Sequence, residues 1–340
     1  MIKAESLVKT FRSRSGVVEA VRGIDFEVEA GAVVALLGPN GAGKSTTLRM
    51  LTTLLEPTSG RATVGGYDVV SEAPKVRRCL GYIGQGNGAG HYHRVRDELL
   101  LQGRAYGLGW SKAGARADEL LEAFQLTALA RRTSGSLSGG QCRRLDIAMG
   151  LVHAPPVLFL DEPSTGLDPQ NRANLWQHVF EIRERFGVTI LLTTHYLEEA
   201  DAMAERVLII DHGRVIADDP PERLKADLAG DLVLVRVADP AQAPEALAVA
   251  ERLTAAHDRR AADGMVELRL PAGAEVLPAY LRELDRGGIA VRTAEVVRPT
   301  LDDVFLNLTG RSLREEAATE SPPETPAATD AQQADLEVSR

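Results

Sequence analysis

The run Gly38-Pro39-Asn40-Gly41-Ala42-Gly43-Lys44-Ser45-Thr46 constrains this chain more than any other stretch. It fits the spacing G-x-x-x-x-G-K-[ST] without a mismatch. Residues 32–37 before it read as a buried strand, and residues 46–51 after it as the first turns of a helix. In that context the glycines let successive backbone N–H groups turn toward phosphate oxygens, and the helix N-terminus adds its positive end. Lys44 can then reach the β- and γ-phosphates, and the Ser45 hydroxyl can hold Mg²⁺. The plainer reading, a Gly-rich strand–helix turn with a solvent lysine, leaves the flanking strand and helix as coincidence. The residues imply a bound nucleoside triphosphate.

The 340 residues suffice for one large core and a smaller second domain. A net charge of −9 argues against a sequence-wide electrostatic footprint for nucleic acid, though not against a local basic patch. Cys79 and Cys142 stand far apart with no C-x-x-C pair, so neither a disulfide framework nor a zinc site is indicated, and a reducing cytosol suits them. No apolar run approaches the roughly 18 residues a membrane helix needs. Residues 1–6 lack the apolar stretch of a signal peptide. Any work at a membrane is therefore expected to pass through a partner chain.

Residues 1–230 alternate strand-like and helix-like segments, as in an α/β domain with a largely parallel sheet. Four apolar runs read as buried strands: 32–37, 157–160, 188–193 and 206–210. A helix-rich insertion lies between about 95 and 152, with helices expected at 97–106, 116–125 and 140–152. Near 227–231 the pattern changes. Strands at 232–237, 265–270 and 289–297, separated by helices at 244–256 and 276–286, suggest a small α+β domain. The resulting division is 1–228, 229–310 and a tail at 311–340. That tail is rich in Ala, Glu, Pro and Thr and poor in large apolar residues, so it reads as disordered and acidic.

Two further motifs accompany the loop. In Val157-Leu158-Phe159-Leu160-Asp161-Glu162-Pro163 an apolar strand ends in adjacent carboxylates, at the sheet edge where α/β proteins bind ligands. Asp161 is placed to bind Mg²⁺ through water, and Glu162 to polarise the water that attacks the γ-phosphate. A polar loop is the plainer reading of that pair. Leu137-Ser138-Gly139-Gly140-Gln141 opens a helix, with Ser138 a good N-cap and the glycines permitting close backbone approach.

In this order the motifs resemble the ATP-binding subunit of an ABC transporter, a P-loop ATPase, and the resemblance covers 1–230. It implies that 38–46 is the Walker A loop, 157–162 Walker B and 137–141 the signature motif. Gln85 in Gly81-Tyr82-Ile83-Gly84-Gln85 matches the glutamine that senses Mg²⁺ and contacts the membrane partner. Asp168 closes a D-loop at 164–168, and His195 matches the switch histidine that contacts the γ-phosphate. Phe11 falls where an adenine-stacking aromatic is expected; a core phenylalanine is the equal alternative. His91 and His93 read as solvated. Ser164 stands where a Thr is common, and 86–90 is unusually glycine-rich, but neither removes a group needed for hydrolysis.

Residues 299–310, together with 145–153 and 193–200, resemble the daunorubicin-resistance type of drug-export ATPases. Leu301, Val304, Phe305 and Leu308 follow helical spacing and are expected to close the small domain's core, with docking on a partner ATPase subunit as the alternative. The resemblance implies ATP and Mg²⁺, and a homodimer on ATP binding in which one copy's signature motif closes on the other's Walker A loop. It further implies a separate export permease, a place at the cytoplasmic face of the cell membrane, no nucleic acid, and no direct contact with the transported compound. Export of a hydrophobic drug is the expectation, and lipid or polysaccharide export the runner-up. A DNA-repair ATPase would insert a long coiled coil, and a translation factor would carry two ATPase halves; neither is seen here.

Overall fold

The first strands alternate apolar and charged residues, a period of two that makes half-buried antiparallel sheet rather than buried parallel sheet. In the computed structural model, which describes residues 1–13, 16–86, 88–254 and 258–310, β1 (Ile2–Ser13) and β2 (Gly16–Val28) form a hairpin. β1 buries Ile2, Ala4 and Leu7 while Lys3 and Glu5 face water. β3 (Val33–Leu37) runs into α1 (Lys44–Leu51), and β4 (Ser59–Val64) and β5 (Tyr67–Asp68) then complete a sheet in the order β2-β1-β4-β5. The sequence reading did not separate this antiparallel layer, because no sustained apolar run marks it.

The main sheet follows. After α2 (Ala73–Arg78) and β6 (Leu80–Ile83) come α3 (Val95–Ala105), α4 (Trp110–Ala123) and α5 (Gly139–Gly150). β7 (Val157–Asp161), α6 (Pro169–Phe186), β8 (Thr189–Thr194), α7 (Leu197–Met203), β9 (Arg206–Asp211) and β10 (Arg214–Asp219) complete it. The order is β10-β9-β3-β8-β7-β6, parallel except for β10. The four apolar runs of the sequence are β3, β7, β8 and β9.

Every residue of β3, β7 and β8 is buried, and successive side chains point to opposite faces. Val33, Ala35, Leu37, Leu158, Leu160, Ile190 and Leu192 join one core with α3–α7. Val34, Leu36, Val157, Phe159 and Leu191 join the other, against α1 and the antiparallel sheet. A continuous apolar strand thus serves two cores at once.

The chain then crosses α8 (Pro221–Leu224) and a π-helical turn, Lys225–Ala229. β11 (Asp231–Val237), α9 (Ala243–Leu253), β12 (Asp258–Ala262), β13 (Met265–Leu270), α10 (Gly273–Arg286) and β14 (Val291–Val297) form an antiparallel sheet, β12-β13-β11-β14, with its own core. β12 escaped the sequence reading, since Asp-Arg-Arg-Ala-Ala carries no apolar alternation.

The last helix, α11 (Leu301–Thr309), corrects an expectation. Its Leu301, Val304 and Phe305 do not close the small domain's core. They lie in the large-domain core with Leu197 and Ala200 of α7 and with Leu224 and Ala229, while Leu308 stays exposed. Arg269 of β13 faces Asp303 at 3.6 Å, and Asn307 Nδ2–H donates to Leu228 O at 2.9 Å. The helical spacing was legible; which core receives the apolar stripe is a tertiary matter. The tail read at 311–340 lies outside the described residues.

Candidate active site

The loop 38–44 leaves the carboxyl end of β3 and enters α1. Gly43, with φ 106°, occupies a left-handed conformation at the helix N-cap, and a Cβ there would overlap the carbonyl oxygen of Ala20 on β2. Lys44 is buried, its ammonium donating to the carbonyls of Gly38 (2.7 Å) and Pro39 (2.9 Å). Asn40 and Gly41 are exposed at the tip, while Ser45 and Thr46 are half-buried. The arrangement is a cradle of backbone donors with one cation folded into it.

Asp161 is 0 % exposed at the end of β7. Its Oδ1 accepts from Ser45 Oγ–H (2.7 Å) and Thr193 Oγ–H (2.8 Å), and its Oδ2 from the Tyr82 hydroxyl (3.4 Å). Ser45 and Asp161 thus present hard oxygens side by side at the phosphate loop. That donor set suits Mg²⁺, which is held by one or two carboxylates with phosphate and water oxygens.

Glu162 follows with φ 47°, a left-handed conformation unusual for a side-chain-bearing residue. Its N–H donates to Thr193 Oγ1 at 2.9 Å. Its Oε1 lies 3.5 Å from His195 Nδ1 and 3.8 Å from Lys44 Nζ, and Thr165 Oγ–H approaches Oε2 at 3.4 Å. His195 beside it, and then Lys44, hold the carboxyl below the ordinary glutamate range, with burial opposing them. It is an ionised group at the loop's open edge, able to accept a hydrogen bond from a water molecule.

Gln85 lies two residues beyond Ile83, whose register partner on β7 is Leu160, so it leaves the sheet beside the acid pair. Its side chain is exposed and makes no hydrogen bond among the described residues. Phe11 is 40 % exposed on β1, opposite Val18, with Lys9 Nζ 5.4 Å from its ring centre. A core role for Phe11 is thereby removed. Its register partner Val18 lies two residues from Ala20, whose carbonyl oxygen approaches Gly43.

Ser138 and Gln141 sit apart from this cluster, closing a capping box at the start of α5: Gln141 N–H to Ser138 Oγ at 3.4 Å, Ser138 N–H to Gln141 Oε1 at 3.0 Å. Ser138 and Gly139 face solvent. Gly140 is buried against α6, where a Cβ would come within 2.7 Å of Asn171 Oδ1. Asp168 caps α6, accepting the Asn171 N–H at 2.9 Å, a bond that lowers its carboxyl pKa. His91 and His93 are exposed.

The sequence reading missed Thr193, which ties Asp161 to Glu162, and a clasp on α5. Arg143 donates to the carbonyls of Gly84 (2.8 Å) and Pro163 (2.7 Å). Asp146, one turn on, accepts the N–H groups of Gly88 (2.9 Å) and Ala89 (3.0 Å). The helix opened by Ser138 therefore holds the loop that carries Gln85 on both sides of that residue. The i, i+3 spacing of Arg143 and Asp146 was the available signal, but it names no partner.

A parallel sheet, a phosphate loop after β3 and an acid pair after β7 define a P-loop nucleoside triphosphatase. Residues 21–165 match the family model described as ABC transporter, and residues 220–309 match that of the ATP-binding protein DrrA1-3-like C-terminal domain. The daunorubicin resistance ATP-binding protein DrrA3 of Streptomyces coeruleorubidus is 45 % identical over 307 residues, covering 90 % of this chain and 96 % of that protein. Nod factor export ATP-binding protein I of Burkholderia lata is 37 % identical over 309 residues, 90 % of this chain and 97 % of its own. Among solved structures, the dimeric ATP-binding cassette MJ0796 in a post-hydrolysis state with ADP and Pi has a TM-score of 0.59 at 25 % identity, covering 65 % of this chain and 98 % of its own. The chain belongs to the ABC transporter family of ATP-binding proteins, in the group with a DrrA-type C-terminal domain. It binds and hydrolyses ATP.

Proposed function

We propose that this subunit powers the export of a hydrophobic drug or antibiotic through a separately encoded membrane permease, from the cytoplasmic face of the membrane. Two copies bind ATP head to tail, each triphosphate lying between residues 38–46 of one copy and Ser138–Gln141 of the other. The backbone donors of the loop and Lys44 hold the phosphates, and Phe11 stacks on the base. Glu162 polarises the attacking water, His195 contacts the γ-phosphate, and Asp168 lies at the dimer face. Ser45, Asp161 and Gln85 would hold Mg²⁺, which supplies charge neutralisation at the phosphates. Among the described residues no helix is long and apolar enough to cross a membrane, in keeping with a partner that does.

The observation that carries this reading is the separation of two half-sites. Lys44, Asp161, Glu162 and His195 converge, while Ser138 and Gly139 face solvent and, among the described residues, Ser138 bonds only within its own turn. The drug class rests on the resistance proteins among the relatives. The Nod factor export relative supports a second reading, with a different cargo on the same motor.

Glu162→Gln is expected to bind ATP with wild-type affinity, to lose turnover by at least 100-fold, and to elute as a dimer with ATP. Near-normal turnover would remove Glu162 from the water-polarising role, and an ATP-bound monomer would remove the composite site. For the cargo, cells expressing the chain with its permease are expected to accumulate less daunorubicin than cells carrying Lys44→Ala.

A further inference from the structure

The turn that follows β8 is tied by its own polar groups. Thr194 Oγ1 accepts the Tyr196 N–H at 2.9 Å, and the same hydroxyl donates to Glu199 Oε2 at 3.0 Å. His195 lies inside that turn, its ring tilted 39° against the Tyr196 ring with 4.2 Å between centres. Its Nδ1 stands 3.5 Å from Glu162 Oε1, a separation at which a small rotation of the ring makes or breaks a hydrogen bond.

Arg172 reaches this turn from another element. It sits in the first turn of α6, where its backbone N–H donates to Asp168 O at 2.9 Å. The carbon of its guanidinium is 4.0 Å from the centre of the Tyr196 ring, and its Nε faces Glu199 Oε1 at 3.4 Å. Both of those atoms are buried, and among the described residues neither makes a hydrogen bond. A dedicated arginine–carboxylate pair closes into a short two-bond fork, which this one does not. The ring therefore has the firmer hold. The guanidinium is seated on an aromatic face at stacking range, and its charge is offset by the carboxylate of Glu199, 4 % exposed.

We infer that Arg172 is a positioning residue for ATP hydrolysis, its guanidinium pressing on the Tyr196 ring so that the His195 ring stays turned toward Glu162. The inference rests on the proposed contact of His195 with the γ-phosphate. Without Arg172 the Tyr196 ring can rotate about its own side-chain bonds, and His195 beside it is no longer held against Glu162. Asp168 and Arg172 stand one turn apart on α6, so a single side chain joins the start of that helix to the histidine.

The test is steady-state ATPase of the full chain carrying Arg172→Ala, Tyr196→Ala and the two combined. Each single variant is expected to lower kcat about fivefold or more, with KM for ATP within about twofold of wild type, because the loop that holds the phosphates is untouched. The combined variant should lose no more than either single change, the mark of two residues acting through one contact. Arg172→Lys and Tyr196→Phe keep a cation and a ring face, and each should restore kcat to within about twofold. Arg172→Ala strands the buried Glu199, so Arg172→Ala with Glu199→Gln is measured beside it. That variant should melt as the wild type does and still show the loss of kcat. Wild-type kcat there, losses that multiply in the Arg172–Tyr196 double variant, or a KM that rises in step with the fall in kcat overturns the inference. His195→Ala at wild-type turnover overturns the reading of His195 itself.

Discussion

At Glu162 the backbone conformation and the electrostatics point to the same task. A left-handed φ of 47° turns the carboxylate away from the strand direction, and Thr193 Oγ1 holds the N–H in that turn. Such a conformation costs on the order of 1–3 kcal/mol for a residue with a Cβ and persists only when its surroundings over-determine it. Gly43 meets a similar demand without a side chain, because Ala20 O occupies the space a Cβ would take. Gly43→Ala is therefore expected to displace the loop, weaken ATP binding at least tenfold and cost about 1–3 kcal/mol of stability, checked by nucleotide titration and urea melts. Lys44, Ser45, Asp161, Glu162 and His195 were legible in the sequence because their spacing follows the strand ends that carry them. Tyr82 and Thr193 were not. Their contacts to Asp161 depend on β6–β7 and β7–β8 register, which pairs Asp161 with Thr193 across the sheet.

Helix α5 joins three functions along one cylinder. Its N-terminus carries the exposed Ser138 and Gly139, its first turns press Gly140 on Asn171, and Arg143 and Asp146 hold the Gln85 loop. Burial pushes the Arg143 guanidinium pKa down, yet its fork still meets carbonyls on two separate loops. Lysine, a single ammonium on a flexible stem, cannot match that geometry. Arg143→Lys is expected to cost about 2 kcal/mol by leaving a buried carbonyl unpaired, and to lower turnover more than ATP affinity. A urea melt and an ATPase titration measure the two separately, and an unchanged turnover would show that the clasp does not serve the site. The helix itself was readable from its cap and apolar positions. Its grip was not, since the acceptors are backbone atoms of loops about 60 residues earlier in the chain and 20 later.

Across the whole molecule, two cores share the main sheet and a third fills the small domain. α11 binds the second body to the first: Phe305, 0 % exposed, sits in the large-domain core near α7, whose first residue lies two positions after His195. Phe305→Ala removes a full aromatic side chain from that core and is expected to cost about 3–5 kcal/mol. Calorimetry is expected to show a transition for the small domain separating from that of the large one; a single unshifted transition would contradict the packing. The sequence by itself determined the α/β class, the family and the placing of the candidate site's residues at strand ends, because each of those motifs is a short run of residues. Only the tertiary structure decided that the first strands make a separate sheet, that α11 belongs to the large-domain core, and that α5 grips the Gln85 loop. Those outcomes turn on which surfaces meet across long sequence separation, and an apolar stripe or a buried carboxylate specifies that it must be covered without specifying by what.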